Sequence, residues 1–137
     1  MSFLSNPAVL LRAEAACVLF VSMAAYHLLF PHHWVLFACL FLVPDLSLLL
    51  YLRGLNAYVS KIYNAVHNYV LPILLGAIGF YAKRFLLGEV SLIWICHIGM
   101  DRMIGYGLKY PISFKHTHLQ RVAPESAQAI PPGYTLM

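Results

Sequence analysis

The chain has 137 residues, enough for one domain, and 61% of them are hydrophobic against 10% charged, with a mean hydropathy of +0.74. A soluble domain carries about 25% charged residues, so the composition excludes an ordinary soluble enzyme and points to an integral membrane protein. The net charge of +4 is small and spread along the chain, which excludes the dense basic face that nucleic-acid binding needs.

The apolar runs are continuous rather than alternating, so helices, not a transmembrane barrel, are expected. The start, Met1 to Pro7, lacks a basic region before the first apolar run, and that run holds Arg12 and Glu14; neither suits a cleavable signal peptide. Four spans are predicted, at about 8–30, 34–51, 58–81 and 86–108, each near the roughly 20 residues that cross a bilayer. The links between them are short, which makes successive helices antiparallel neighbours. The expected architecture is an all-α, integral membrane, up-down four-helix bundle over residues 1–110. A cytoplasmic juxtamembrane segment and mobile tail, with Pro124, Pro131 and Pro132, follow over 111–137.

With the N-terminus inside, Arg12, Arg53, Lys61, Lys109, Lys115 and Arg121 fall on the cytoplasmic side, and only Lys83 and Arg84 fall outside. That asymmetry places both termini in the cytoplasm. Pro44 and Pro72 lie inside the second and third spans; each removes a backbone donor and should bend its helix. Cys17, Cys39 and Cys96 show no CxxC spacing and read as small core residues. His27, His32, His33 and Glu89 lie at the outer ends, where interfacial polar residues are expected. Trp34 and the tyrosines read as interface anchors.

The chemistry concentrates in the cytoplasmic half. Using about 1.5 Å of rise per residue, Glu14 and Asp45 each lie roughly 9 Å in from that side, Asn64 and His67 about 9 to 13 Å, and Asp101 and His97 about 10 to 16 Å. Helices of alternating direction therefore bring their polar groups to one layer. Each intramembrane charge costs about 2.5 to 3.5 kcal/mol on insertion scales, so these groups are expected to meet. His97 and Asp101 are four apart and share a helix face, as do Tyr63 and His67.

Two histidines with three carboxylates at one depth suit Zn, Mn or Fe. The expected ligands are Glu14, Asp45, His67, His97 and Asp101, with His116 and His118 as added candidates beyond the fourth span. Tyr63 and Asn64 would orient ligands or substrate. Arg102 is about 100° round the helix from Asp101; it would pair with Glu14 or, like Lys109, hold an anionic group. A network of ion pairs holding the helices in register, or a proton or ion pathway, would use the same residues.

Arg12-x-Glu14, Pro44-Asp45-Leu46-Ser47, Tyr63-Asn64-x-x-His67-x-Tyr69 and His97-Ile98-Gly99-x-Asp101-Arg102 resemble a family of small bacterial four-span membrane proteins. So do Gly105-Tyr106-Gly107-Leu108-Lys109-Tyr110 and Thr117-His118-Leu119. That family is catalogued only as a domain of unknown function. The likeness spans about Leu10 to Arg121 and implies four helices in a bacterial inner membrane, with no activity attached. A fainter similarity, carried by Thr117-His118, is to the membrane-bound metal-dependent hydrolases.

The expected function is a membrane enzyme with a divalent metal ion in the cytoplasmic half of the bundle, hydrolysing a lipophilic substrate. Glu14, Asp45, Asp101 and Arg102 would act in catalysis, and Arg102, Lys109, Tyr63 and Asn64 would bind substrate. Iron-dependent oxidation is the alternative chemistry, and a non-enzymatic ion pathway or structural network the alternative role. The expected partners are the lipid bilayer and a lipophilic small molecule, without nucleic acid; a homo-oligomer is left open.

Overall fold

The computed structural model describes residues 6–53 and 57–108. The fold is all-α, with no strand among the described residues. Helix α1 spans Pro7–Leu29, α2 Trp34–Phe41, α3 Ala57–Val66, α4 Val70–Tyr81 and α5 Phe85–Ile104; a 3₁₀ segment, Val43–Arg53, follows α2. The tail from 109 onward, with Lys109, His116 and His118, lies outside the described residues.

Helix α1 starts where Asn6 and Pro7 dictate. The Asn6 side chain accepts from the backbone N–H of Ala8 at 3.1 Å, and Pro7 occupies the first helical position, where no N–H is needed. Helix α5 ends at Gly105, whose φ of +111° is the left-handed conformation that glycine adopts without strain. The N–H of Tyr106 closes back onto the Asp101 carbonyl at 2.7 Å, and Gly105 onto Arg102, in a Schellman-type cap.

Helix α5 is the central element, packed against α1, α4 and α2. Its contacts with α1 run antiparallel: Glu89, near its start, meets Tyr26 at the far end of α1, and Gly105 meets the Arg12 guanidinium. Midway, Gly99 lies so close to α1 that a Cβ there would sit 3.1 Å from the Leu19 nitrogen and 3.2 Å from the Ala15 carbonyl oxygen. The buried residues of α1, Ala15, Leu19, Ser22 and Tyr26, form the stripe that faces this contact.

Both spans predicted to be bent are broken outright. Pro44 has no N–H to offer the Leu40 carbonyl, so α2 stops at Phe41 and the chain tightens. Asp45 N–H bonds to the Leu42 carbonyl at 3.1 Å, an i→i−3 contact, and Ser47 Oγ donates to the Pro44 carbonyl at 2.8 Å. Pro72, in the first turn of α4, denies a donor to the Asn68 carbonyl, and α3 and α4 meet at 44° across residues 67–69.

Among the described residues, α1 alone is long and apolar enough to cross a membrane by itself, and α3 with α4 makes a second, broken candidate. Two placements differ from the sequence reading. Cys17 and Cys39 are exposed and only Cys96 is buried, because the first two lie off the narrow stripes that face α5. Glu89 is not interfacial but buried, accepting from the Tyr26 hydroxyl at 2.9 Å with His33 Nδ1 at 2.8 Å. The Tyr26 hydroxyl also lies 2.9 Å from the His33 carbonyl, so one knot ties the α1–α2 turn to the start of α5.

Candidate metal centre

The break between α3 and α4 positions the first ligand. A helix that stops leaves its last carbonyls without donors, and here side chains supply them. Asn68 Nδ2 donates to the Asn64 carbonyl at 2.8 Å and the Ala65 carbonyl at 2.6 Å, while Trp94 Nε1 donates to the Val66 carbonyl at 2.7 Å. Asn68 Oδ1 accepts from Val70 N–H at 2.9 Å and so starts α4. His67 is the first residue of this break, and its side chain is 3% exposed.

Tyr63, one turn earlier on α3, fixes the His67 ring. The two rings stack with centroids 3.9 Å apart and 13° between planes, and His67 Nδ1 is 3.0 Å from the Tyr63 carbonyl. A carbonyl can only accept, so Nδ1 carries a proton, and in the neutral ring Nε2 presents a lone pair. That lone pair points at three other groups. His67 Nε2 is 3.5 Å from Asp45 Oδ1, 3.6 Å from Asp101 Oδ2 and 3.4 Å from His97 Nε2.

His97, fully buried, and Asp101 stand one above the other on α5. His97 Nε2 is 3.5 Å from both Asp45 Oδ1 and Asp101 Oδ2. The His97 ring meets Phe41 edge-on at 5.6 Å, and its Nδ1 is buried without a hydrogen-bond partner among the described residues. Asp45, at the first turn of the 3₁₀ segment, is the outermost member, with a side chain 34% exposed. The four donor atoms, from the 3₁₀ segment, the α3–α4 break and α5, all lie within 4.8 Å of one another.

These distances discriminate between two kinds of network. Hydrogen bonds favour about 2.7 to 3.2 Å, and the Glu89 knot in the same molecule closes to 2.8 and 2.9 Å. The cluster does not contract in that way; its five measured edges are 3.4 to 3.6 Å. A regular tetrahedron with edges of that length has its corners about 2.1 to 2.2 Å from its centre, near the bond length of Zn²⁺ to imidazole nitrogen and carboxylate oxygen, and the sixth edge, between the two carboxylates, is no longer than 4.8 Å. Two carboxylate oxygens and two imidazole nitrogens that face one point need a cation or protons between them. The four residues therefore form a group that could hold a metal ion.

Of the residues expected at this site, Asp45, His67, His97 and Asp101 come together, with Tyr63 behind His67. Asn64 contributes its carbonyl to the Asn68 bond that braces the break. Glu14 does not join them: it is exposed, one residue and about 100° away from the buried stripe of α1. Arg102 makes no ion pair with it; its guanidinium carbon instead lies 4.5 Å from the centroid of the Tyr69 ring. Asn68 and Trp94, the residues that brace the break, had no assigned role in the sequence reading. Nothing in the sequence tells a solvated asparagine from one that caps two helices.

Beside the cluster, α2, the 3₁₀ segment and α5 enclose a cleft of about 330 Å³ with almost wholly apolar walls, including Leu40, Val43, Pro44, Val66, Ile93 and Trp94. Pro44 and Val66 are the chain neighbours of Asp45 and His67.

Residues 8–122 match a family described as a domain of unknown function, DUF4260. The chain belongs to that family. All four cluster residues, and Asn68, Tyr69, Trp94 and Arg102 around them, lie within the matched segment. No curated protein and no solved structure matches the chain.

Proposed function

We propose that this is an integral membrane protein of the bacterial inner membrane, with both termini cytoplasmic, that binds one divalent metal ion through Asp45, His67, His97 and Asp101. The surface supports the membrane reading. Phe20, Val21, Leu28, Val35, Phe80 and Phe85 are all more than 60% exposed, and only 17% of the apolar window in α1 is buried. Contiguous apolar surface of that kind needs a partner, and lipid satisfies it along every helix at once. The antiparallel packing of α1 and α4 on α5 suits an up-down bundle whose second and third spans are broken at Pro44 and Pro72.

The single observation that carries the metal reading is the set of 3.4 to 3.6 Å separations among four lone-pair donors. Of these, His67, His97 and Asp101 are the deeply set members. Two histidines and one carboxylate hold a metal while leaving room for a reactant. Asp45, the most exposed of the four and on the 3₁₀ segment, is the ligand that would leave the ion to make that room and then act as a general base at Oδ1. When bound, the ion would lower the pKa of a coordinated water enough for hydrolysis near neutral pH. Asp45 takes up the proton of the attacking water, Tyr63 holds the His67 tautomer, and the apolar cleft receives the hydrocarbon part of a lipophilic substrate.

Iron-dependent oxidation is the second reading, favoured by the same two-histidine, one-carboxylate set. Metal analysis of protein purified in mild detergent separates them. One zinc or manganese ion per chain, lost in His67→Ala and His97→Ala, supports hydrolysis; iron with a visible absorption band supports oxidation. A chain without stoichiometric metal, in which Asp101→Asn abolishes proton flux into liposomes, overturns both in favour of an ion pathway. Loss of thermal stability alone in Asp101→Asn leaves a structural network.

A further inference from the structure

We propose that Arg102 and Tyr69 form an oxyanion-binding corner beside the metal centre, so that the molecule recognised there carries a phosphate-type headgroup. The inference rests on the metal reading above. Arg102 follows Asp101 on α5, and its guanidinium lies over the Tyr69 ring at 4.5 Å. Tyr69 closes the α3–α4 break that begins with His67. The corner is thus adjacent in sequence to cluster residues on both of its walls.

Two polar atoms at this corner are buried without a hydrogen-bond partner among the described residues, Arg102 Nε and the Tyr69 hydroxyl. Outside this corner and His97 Nδ1, buried side chains close their bonds: Ser91 Oγ to the Pro72 carbonyl at 2.7 Å, Trp94 Nε1 to the Val66 carbonyl, Tyr26 to Glu89. Buried polar groups left open in this way call for an explanation. Arg102 offers only donors and the tyrosine hydroxyl offers one more, so the missing partner is an acceptor.

Charge points the same way. The two carboxylates of the cluster balance a divalent ion. Arg102 is then a cation with no counter-ion: Glu14, its expected partner, is exposed and unpaired with it, and no carboxylate forms an ion pair with Arg102 among the described residues. A guanidinium backed by an aromatic ring is the side-chain arrangement best suited to a phosphate oxygen pair. Order along α5 completes the picture. Val90, Ile93 and Trp94 line the apolar cleft, His97 and Asp101 follow, and Arg102 comes last. An amphiphile would meet these in sequence, tail first.

The test measures metal content and phosphate binding separately on the full chain in mild detergent. Inorganic phosphate is titrated calorimetrically, and the protein is also placed in nanodiscs of phosphatidylcholine with or without phosphatidic acid, with thermal stability as the readout. Arg102→Gln is expected to weaken binding by about tenfold or more, as loss of a charge-assisted bond implies, and Tyr69→Phe by a few-fold, with metal content unchanged in both. Stabilisation by phosphatidic acid but not by inorganic phosphate identifies a lipid headgroup; binding of both identifies the free oxyanion as sufficient. Equal binding by wild type, Arg102→Gln and Tyr69→Phe, or no binding by metal-loaded wild type, overturns the proposal and leaves the metal reading intact. Arg102-dependent binding by a wild-type chain that holds no metal does the reverse. Should Arg102→Gln fail to fold, Tyr69→Phe, which removes only one oxygen, decides the matter.

Discussion

Asn68→Ala tests whether the α3–α4 break serves the metal centre or merely bends a helix. The substitution removes three hydrogen bonds, to the Asn64 and Ala65 carbonyls and from Val70 N–H. Pro72 prevents repair by a continuous helix, because it has no N–H for residue 68 and its ring crowds that carbonyl. Asn68 is half-buried, so each bond is worth a net of about 1 kcal/mol, and the loss totals roughly 2 to 3 kcal/mol. The neighbouring His67 then loses its fixed approach to the cluster, which is expected to weaken metal binding about 10- to 100-fold. Thermal unfolding in detergent reads the first quantity, and competition with a chromophoric chelator reads the second. Asn68→Ser is the graded control: its hydroxyl can accept from Val70 N–H or donate to one carbonyl, and it should fall between wild type and alanine. A folded Asn68→Ala with wild-type metal affinity would refute the link between break and ligand.

Asp45→Asn and Asp101→Asn should differ. On the proposed reading, Asp101→Asn, at the carboxylate deeply set with both histidines, is expected to lose the metal, and Asp45→Asn to keep most of it and lose turnover; metal content and activity measured together check this. Gly99→Val places branched carbon against the backbone of Ala15 and Leu19 and should cost about 1 to 3 kcal/mol in thermal unfolding by overpacking. Tyr26→Phe leaves the buried Glu89 with one partner fewer and should destabilise by about 1 to 3 kcal/mol, with metal content unchanged because the knot lies at the opposite end of α5. Acidification should release the metal, since protons compete for the imidazole lone pairs and carboxylates; chelator-monitored release across a pH series measures it.

The sequence alone determined that the chain is helical and apolar, that Asp45, His67, His97 and Asp101 belong to one polar set, and that His97 and Asp101 share a face. Those conclusions rest on local quantities: composition, a rise of about 1.5 Å per residue and the 3.6-residue turn. Depth, however, says nothing about rotation. Glu14 and Asp45 are equally deep by that arithmetic, yet Asp45 joins the cluster and Glu14 faces outward, because the close approach at Gly99 turns Ala15 and Leu19, not Glu14, towards α5. Glu89 was misplaced for a related reason: its partner Tyr26 lies 63 residues away, and the burial that needs such a partner exists only once α1 and α5 have packed. Pro44 and Pro72 announced two breaks, but only the tertiary structure decided what fills them. Trp94 and Asn68 satisfy the exposed carbonyls at one, and Asp45 is carried to the cluster at the other. The physical difference is between what one helix repeats along its own axis and what several helices must satisfy in one another.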